Sequence, residues 1–355
     1  MGRRPPAKEC VPMETLNIHG VSGDSRILIG ESLANLSAYL PSKPAVIITD
    51  TTVRKLYGHL FPPLAVIEIG SGEEIKTIDT VCRIYTALME QGLDRTGFVV
   101  GIGGGIVCDI AGFVASTYMR GIDFGFAATT LLAQVDASVG GKNGVNFGGF
   151  KNMVGVFNQP RFVICDPHLL PSLPRRELCC GFAEIIKHAL ISNADMFAFI
   201  EHNCGRALAL ARDVIERLVH ESVALKAGIV SRDEKEAGER RKLNFGHTFG
   251  HAIEAVSGIP HGEAVSAGMV IEARLSAARG MLPDADLQRI CRLLAAMDLP
   301  RHVPVTVDAL VDALQKDKKR ARDRIHVILL DAIGRAVVQT FDMRELVKAV
   351  TEVYI

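Results

Sequence analysis

Short, nearly continuous apolar runs punctuate the first half of the chain. "PAVIITD", "LAVIEIG", "TGFVVGIGGG", "GIDFGFAATT" and "RFVICDP" are rich in β-branched and aromatic residues and bounded by Gly, Pro or Asp, the pattern of strands buried on both faces. Helix-length segments such as "IDTVCRIYTALMEQG" separate most of them, and ahead of them "TLNIHG" and "SRILIG" flank the turn "VSGD" as a hairpin. Strands alternating with helices favour an open, largely parallel sheet covered by helices.

The period changes after about Asp166. "DPHLLPSLPRRE", with three prolines, reads as a connector. "ELCCGFAEIIKHALI", "RDVIERLVHESVALKAGIV", "GHTFGHAIEAV" and "GEAVSAGMVIEARLSAARG" then follow at helical spacing, and one short strand pair, "RIHVILLDAIGRAVVQTF", comes near the end. The pattern predicts an α/β domain over residues 1–170 and a mostly α-helical domain over 171–355.

Composition narrows the partners. Of 355 residues 48% are hydrophobic, and Lys plus Arg and Asp plus Glu each count 40, so no global field draws nucleic acid or an anionic membrane. An anionic ligand must meet a local cluster. No apolar run is long enough for a membrane span, and the opening "MGRRPPAKEC" reads as a loose tail. Eight cysteines without Cys-x-x-Cys spacing suit reduced thiols in a cytoplasmic protein.

"FVVGIGGGIVCDIAGF" is a buried strand running into glycines and a helix, which presents backbone N–H groups to a phosphate. It lacks the third glycine of the dinucleotide fingerprint. Asp50, the pair Glu73 and Lys76, and the pair Thr129 and Thr130 also lie at carboxyl ends of predicted strands, the edge where open α/β sheets bind ligands. "DASVGGKNGVNFGGFKNMVG" adds Asp136, Lys142, Lys151 and Asn152 in what reads as a flexible glycine-rich loop. Its "GGKN" is not a triphosphate loop, because Asn143 stands where Ser or Thr would hold magnesium.

In "LNFGHTFGHAIEAVSGIPHGEAV", His247 and His251 are four apart on one helical face and His261 sits in a turn before the next helix. The pair suggests zinc. Thr248 replaces the glutamate base of a zinc peptidase. A further ligand would come from elsewhere, and Glu184, in an apolar segment with Lys187 three residues on, is available. Spacing alone nominates His247 and His251; composition leaves open which of the four bind metal. Lys226, Arg240 and the terminal "KDKKR" are the basic residues that could meet a substrate with more than one acidic group.

The segments "GGGIVCDIAGFVASTYMRG", "TTLLAQVDASVGGKNGVN", "KNMVGVFNQP", "LPRRELCCGFAEIIKHALI", "LNFGHTFGHAIE" and "HGEAV" stand in an order that resembles the 3-dehydroquinate synthases, of the sugar phosphate cyclases. The resemblance implies an N-terminal Rossmann-like NAD-binding domain, a helical C-terminal domain, a site in the cleft between them and a homodimer. It implies zinc, or cobalt, on Glu184, His247 and His261, and moves His251 to the substrate phosphate. Phosphate contacts fall on Lys142, Asn152, His251, Lys318 or Lys319, and Arg120, which would reach the partner subunit's site. Lys226, Arg240 and Asn244 would hold the carboxylate and hydroxyls; Asp136, Lys187 and Glu236 match further active-site positions. NAD contacts fall on Asp50, Glu73, Lys76, Gly104, Gly105, Asp109, Thr129, Thr130, Lys142 and Lys151. Cys108, Asn143, Pro167, Leu169 and Pro171 depart from the family pattern on the cofactor side.

The implied reaction turns 3-deoxy-D-arabino-heptulosonate 7-phosphate into 3-dehydroquinate and phosphate, a shikimate-pathway step with no net redox change. The alternatives are another cyclase of valiolone or inosose type, and a metal-dependent polyol dehydrogenase that would release NADH.

Overall fold

The computed structural model describes residues 14–318 and 324–354, with the side chains of 316–318 left out. Its strands are β1 (Glu14–Gly20), β2 (Gly23–Ile29), β3 (Ala45–Asp50), β4 (Ala65–Ile69), β5 (Phe98–Gly103), β6 (Asp123–Ala128), β7 (Lys142–Phe147), β8 (Phe150–Phe157), β9 (Phe162–Cys165), β10 (Arg324–Ala332) and β11 (Arg335–Asp342). The helices are α1 (Thr51–Tyr57), α2 (Ile78–Glu90), α3 (Gly105–Thr117), α4 (Arg175–Ser192), α5 (Ala194–Leu208), α6 (Arg212–Arg232), α7 (His247–Ser257), α8 (His261–Ala278), α9 (Asp284–Ala296), α10 (Val307–Lys318) and α11 (Met343–Val353).

Seven strands form one sheet in the order β1-β2-β9-β6-β5-β3-β4. Every pair in it is parallel except the β1–β2 hairpin. From β3 the chain steps outward to β4 and then crosses to β5 on the other side, so the winding reverses between β3 and β5. At such a switch point the loops leave in opposite directions and open a crevice at the carboxyl ends of the strands. Asp50 ends β3 and Gly103 ends β5, which puts the predicted cofactor loops at that crevice.

One apolar cluster runs from the sheet (Ile18, Val99, Phe124) into the helices (Phe182 of α4, Leu218 of α6). A second joins α7, α8, α10 and the β10–β11 pair through Phe249, Ile253, Leu275, Leu310, Val327 and Phe341. The apolar segments read as strands and helices all form those elements. Strands such as β5 and β6 bury nearly every side chain and helices such as α4 a whole face, so their own period decides their state.

The glycine-rich stretch after Asp136 is not a flexible loop. It is the antiparallel hairpin β7–β8, with Phe147 paired to Phe150. Gly148 and Gly149 have φ of 60° and 82°, the left-handed pair that a two-residue turn matching strand twist requires. The shifted register at Asn146 frees its side chain.

Candidate active site

The crevice side of the site is built at the β3 and β5 ends. The carboxylate of Asp50 caps α1, Oδ1 accepting from the Val53 N–H at 2.8 Å. Gly104 precedes α3 with no side chain over the first N–H groups, leaving them for an anion. A Cβ on Gly104 would come within 3.0 Å of the Thr130 methyl, and one on Gly105 within 2.9 Å of the Ala137 Cβ. Close packing therefore also demands these glycines. The Thr129 N–H donates to Gly103 O at 2.9 Å, and Thr130 Oγ1 accepts from the Ala133 N–H at 3.1 Å.

Lys76, buried, donates to Asp109 and to Asn152 Oδ1. Asn146, at the hairpin irregularity, donates to Glu73 Oε1 at 2.7 Å and accepts from the Asn152 N–H at 2.9 Å. Glu73, Lys76, Asp109 and Asn152 thus form one polar group that fastens the sheet edge to β8. Lys151 on β8 reaches the other way, to Glu254 Oε1 at 2.6 Å, with Glu73 at 3.8 Å.

The facing wall is charged and largely buried. A π-helical turn over Ala133–Ala137 carries Asp136, an irregularity frequent at functional sites. Lys226 Nζ on α6 donates to Asp136 O at 2.6 Å and Oδ1 at 2.7 Å. Lys187 Nζ lies 3.9 Å from the same oxygen and pairs with Glu184. The side chains of Glu184 and Lys187 are 0% and 2% exposed, so this is a buried pair rather than one at the surface. Burial disfavours ionised Asp136, but Lys226, Lys187 and His188 outweigh it and hold its carboxyl well below the usual range. For Lys187 burial is likewise outweighed, by Glu184 and Asp136, and its pKa rises.

Glu184 Oε1 is 3.5 Å from Nε2 of both His247 and His261, and the donor atoms of the three residues lie within 4.8 Å of one another. Glu184 Oε2 is met by Lys187, whereas the buried Oε1 has no hydrogen-bond donor among the described residues. Two imidazole nitrogens and a carboxylate oxygen that no hydrogen bond satisfies suit a zinc-like ion with one coordination position left open. Asp136, Glu184 and His188 form a second convergent group, which shares Glu184 with the first. His251 belongs to neither. It is exposed one turn along α7, its ring 5.3 Å from that of His247 and 5.9 Å from that of His261, close to the cluster but outside the group that Glu184 draws together.

Burial, with Lys187 nearby, pushes the His247 imidazole well below its ordinary pKa. Burial acts the same way on His261, but Glu184 and Glu254 bring it up to about 9. Both histidines face Glu184; the directions differ because Lys187 adds to the effect of burial at His247, whereas His261 gains a second carboxylate, Glu254.

Three further predicted residues meet at Glu236, which accepts from both Lys142 and Asn244. Glu236 holds a left-handed φ of 61°, uncommon for a residue with a side chain. Arg240 is 2% exposed. It donates to Glu234 O at 2.5 Å and Gly140 O at 3.0 Å and forms no ion pair among the described residues. A Cβ on Gly140, where φ is 102°, would stand 2.8 Å from Arg240 Nη2. Arg120 is exposed, in the left-handed region with φ of 69°. The side chain of Lys318 and all of Lys319 lie outside the described residues.

The departures on the cofactor side have structural employment. Asn143 Nδ2 donates to Gly141 O and Asn158 O, both at 2.9 Å, pinning the hairpin base against Gly112 of α3. Cys108 is 1% exposed and burial raises its thiol well above the ordinary value, which makes it a packing residue. Pro167, Leu169 and Pro171 lie in a 3-10 turn closed by Asp166, with Tyr57 donating to Leu169 O at 2.9 Å.

Three residues that the sequence reading passed over belong to this constellation. His188, fully buried, meets Ser222 Oγ at 2.5 Å and Asp136 Oδ1 at 3.5 Å. Glu234 accepts from the Ser22 N–H at 3.2 Å and Gln159 Nε2 at 3.0 Å, tying the loop of Glu236 and Arg240 to the β1–β2 turn; nothing in its local pattern signals this. Glu254 had a signal, because positions 247, 251 and 254 share a helical face.

The comparisons agree along the chain. A family model of the 3-dehydroquinate synthase N-terminal region matches residues 66–180 and one of the C-terminal region matches 181–320. The 3-dehydroquinate synthase of Geobacter metallireducens is 40% identical, covering 94% of this chain and 98% of its own. That of Pelotomaculum thermopropionicum is 42% identical over 92% and 93%. Among solved structures, the 2-epi-5-epi-valiolone synthase of Streptomyces hygroscopicus with NAD+ and Zn2+ bound has a TM-score of 0.85 at 29% identity, over 95% of this chain and 98% of that one. A 2-deoxy-scyllo-inosose synthase complexed with carbaglucose-6-phosphate, NAD+ and Co2+ scores 0.84 at 27% identity, over 96% and 100%. A probable glycerol dehydrogenase from Sinorhizobium meliloti, at 17% identity and a TM-score of 0.66 over 90% and 93% of the two chains, shares the fold. By two family models that together span most of its length, and by relatives at about this identity end to end, the chain belongs to the 3-dehydroquinate synthase family.

Proposed function

We propose that the protein converts 3-deoxy-D-arabino-heptulosonate 7-phosphate to 3-dehydroquinate and phosphate, as a carbon–oxygen lyase, in a cleft between residues 1–170 and 171–355. When bound, NAD supplies a hydride acceptor and donor for C5, and zinc or cobalt supplies charge that polarises the C4 and C5 hydroxyls. Glu184, His247 and His261 hold the metal. Asp50, Glu73, Lys76, Gly104, Gly105, Asp109, Thr129, Thr130, Lys142 and Lys151 surround the cofactor.

The observation that carries the substrate assignment is Arg240. Its buried guanidinium is met by two carbonyl oxygens and by no carboxylate among the described residues, so its charge is left for a ligand anion, which it can grip in a planar fork. Lys226, held by Asp136, and Asn244 complete a carboxylate and hydroxyl pocket. Lys142, Asn152, His251 and a lysine of 318–319 bind the phosphate, which leaves once C5 is a ketone and the neighbouring C–H is acidic. Asp136, Lys187 and Glu236 fix the charge and orientation of these groups. Ring opening and an intramolecular aldol closure then need positioning more than new chemistry.

The protein works as a cytoplasmic homodimer on this reading. Arg120, exposed and without an ion pair among the described residues, acts in the partner's site. Met119, beside it in the chain and 48% exposed, supplies apolar surface for a second copy to cover.

The test is phosphate release from metal-loaded protein with NAD far below the substrate concentration. Phosphate exceeding the NAD supplied, without accumulating NADH, is expected. A protein holding metal and NAD that releases no phosphate would favour a cyclase of valiolone or inosose type, whose carboxylate-free sugar phosphates would leave Arg240 unmatched. Accumulating NADH would indicate a polyol dehydrogenase.

A pH dependence follows from Lys226. Burial, with repulsion from Arg240 and Lys187, brings its pKa down to about 8 against the pull of Asp136. Only the protonated form attracts a carboxylate, so kcat/KM is expected to fall about tenfold per unit above that pH. Lys226→Met should lower kcat/KM at pH 7 and flatten this limb; an unchanged alkaline limb would place the titration elsewhere.

A further inference from the structure

His261 is the most exposed of the three clustered donors, its side chain 33% accessible against 13% for His247 and 0% for Glu184. It begins α8 after Pro260, so backbone packing constrains its ring less than that of a residue in mid-helix. Each imidazole nevertheless has one nitrogen tied. His247 Nδ1 meets Phe245 O at 3.2 Å; a carbonyl can only accept, so Nδ1 carries the proton and Nε2 a lone pair directed toward Glu184. His261 has no such carbonyl partner among the described residues. Its Nδ1 lies 3.3 Å from Glu254 Oε2.

Glu254 is 8% exposed, and its other oxygen accepts from Lys151 Nζ at 2.6 Å. A buried carboxylate between an imidazole and an ammonium is fixed in orientation and remains an anion. Lys151 comes from β8, on the crevice side, whereas Glu254 and His261 come from the helices. One carboxylate therefore ties the hairpin to the group that faces Glu184.

Resting on the reading of His261 as a metal ligand, we propose that Glu254 is a positioning residue of the metal site: it holds the proton on His261 Nδ1, aims Nε2 at the ion and strengthens that nitrogen as a donor. Outer carboxylates of this kind typically change metal affinity about 10–100-fold.

Zinc affinity of the full chain, measured against a competing chelator, tests this in a graded series. Glu254→Gln keeps the shape and an acceptor but loses the charge, and should weaken zinc about tenfold; Glu254→Leu removes the acceptor and should approach about a hundredfold. Both should still bind one ion per chain, with a shifted visible spectrum for the Co2+ form because the His261 donor is altered. Unfolding midpoints of the metal-free proteins identify any variant that fails to fold, and Glu254→Asp, which withdraws the carboxylate from Nδ1, then takes its place with the same expected loss. His261→Ala separates the two ideas. If it abolishes zinc binding while Glu254→Gln and Glu254→Leu stay within about twofold of the parent, the role of Glu254 is wrong and the ligand set stands. If His261→Ala binds zinc as the parent does, the ligand reading fails and this inference with it.

Discussion

His261→Ala is expected to leave a folded protein without its metal, with phosphate release reduced on the order of 1,000-fold or more, because several kcal/mol of charge stabilisation at the reacting hydroxyls goes with the ion. Glu184 Oε1 faces two imidazole Nε2 atoms at 3.5 Å, and deleting one leaves two donors, too few for a tight site. The checks are metal content by elemental analysis and the unfolding midpoint of the metal-free protein. Normal metal content in the variant would sink the ligand assignment. The metal-free midpoint should fall but stay cooperative, since the variant loses the imidazole that pairs with Glu184 and Glu254 while the apolar core is untouched.

Lys187→Met should show its largest effect in the metal-free protein. Lys187 Nζ stands between Glu184 and Asp136, and the α4 side chains from Leu178 to Ile191 are all buried. Removing the ammonium leaves Glu184 with no cation in close contact among the described residues except the imidazoles, and facing the charge of Asp136. Breaking a buried pair in this way costs about 3–5 kcal/mol. Asp136 keeps Lys226, which limits the damage to one carboxylate. Zinc should then narrow the difference, because the ion supplies the charge that Lys187 no longer gives and no longer suffers its repulsion. Urea midpoints of parent and variant, with and without zinc, decide the matter. A metal-free difference under about 1 kcal/mol, or a gap that widens with zinc, would overturn this account of the pair.

These two residues also mark where local reading stops. The i, i+3 spacing of Glu184 and Lys187 showed that they could touch, and the apolar segment around them made a buried carboxylate costly. Neither revealed that Asp136, from a π-helical turn, would complete the cluster. His247 and His251 share a face by the same spacing logic, yet the donor that converges with His247 is His261, across the α7–α8 turn. The helical period places side chains along one helix; it says nothing about which neighbouring helix faces them. The hairpin over 142–157 was legible in principle, since "NFGGF" is a two-residue glycine turn between strand-like flanks, but the density of glycine masked it.

From the sequence alone came the alternation of strand and helix, the change of texture near Asp166, the glycine loop at a strand end and, through six ordered motifs, the family. All of these depend on periodicity or on short-range identity, which a linear chain carries in full. The tertiary structure alone decided that the sheet reverses between β3 and β5, that Arg240 is buried against carbonyls rather than carboxylates, and that Glu254 joins Lys151 to His261. Each of these joins residues far apart in the chain or depends on how whole elements pack, and packing is settled by many weak contacts acting together, none of them visible in a local pattern.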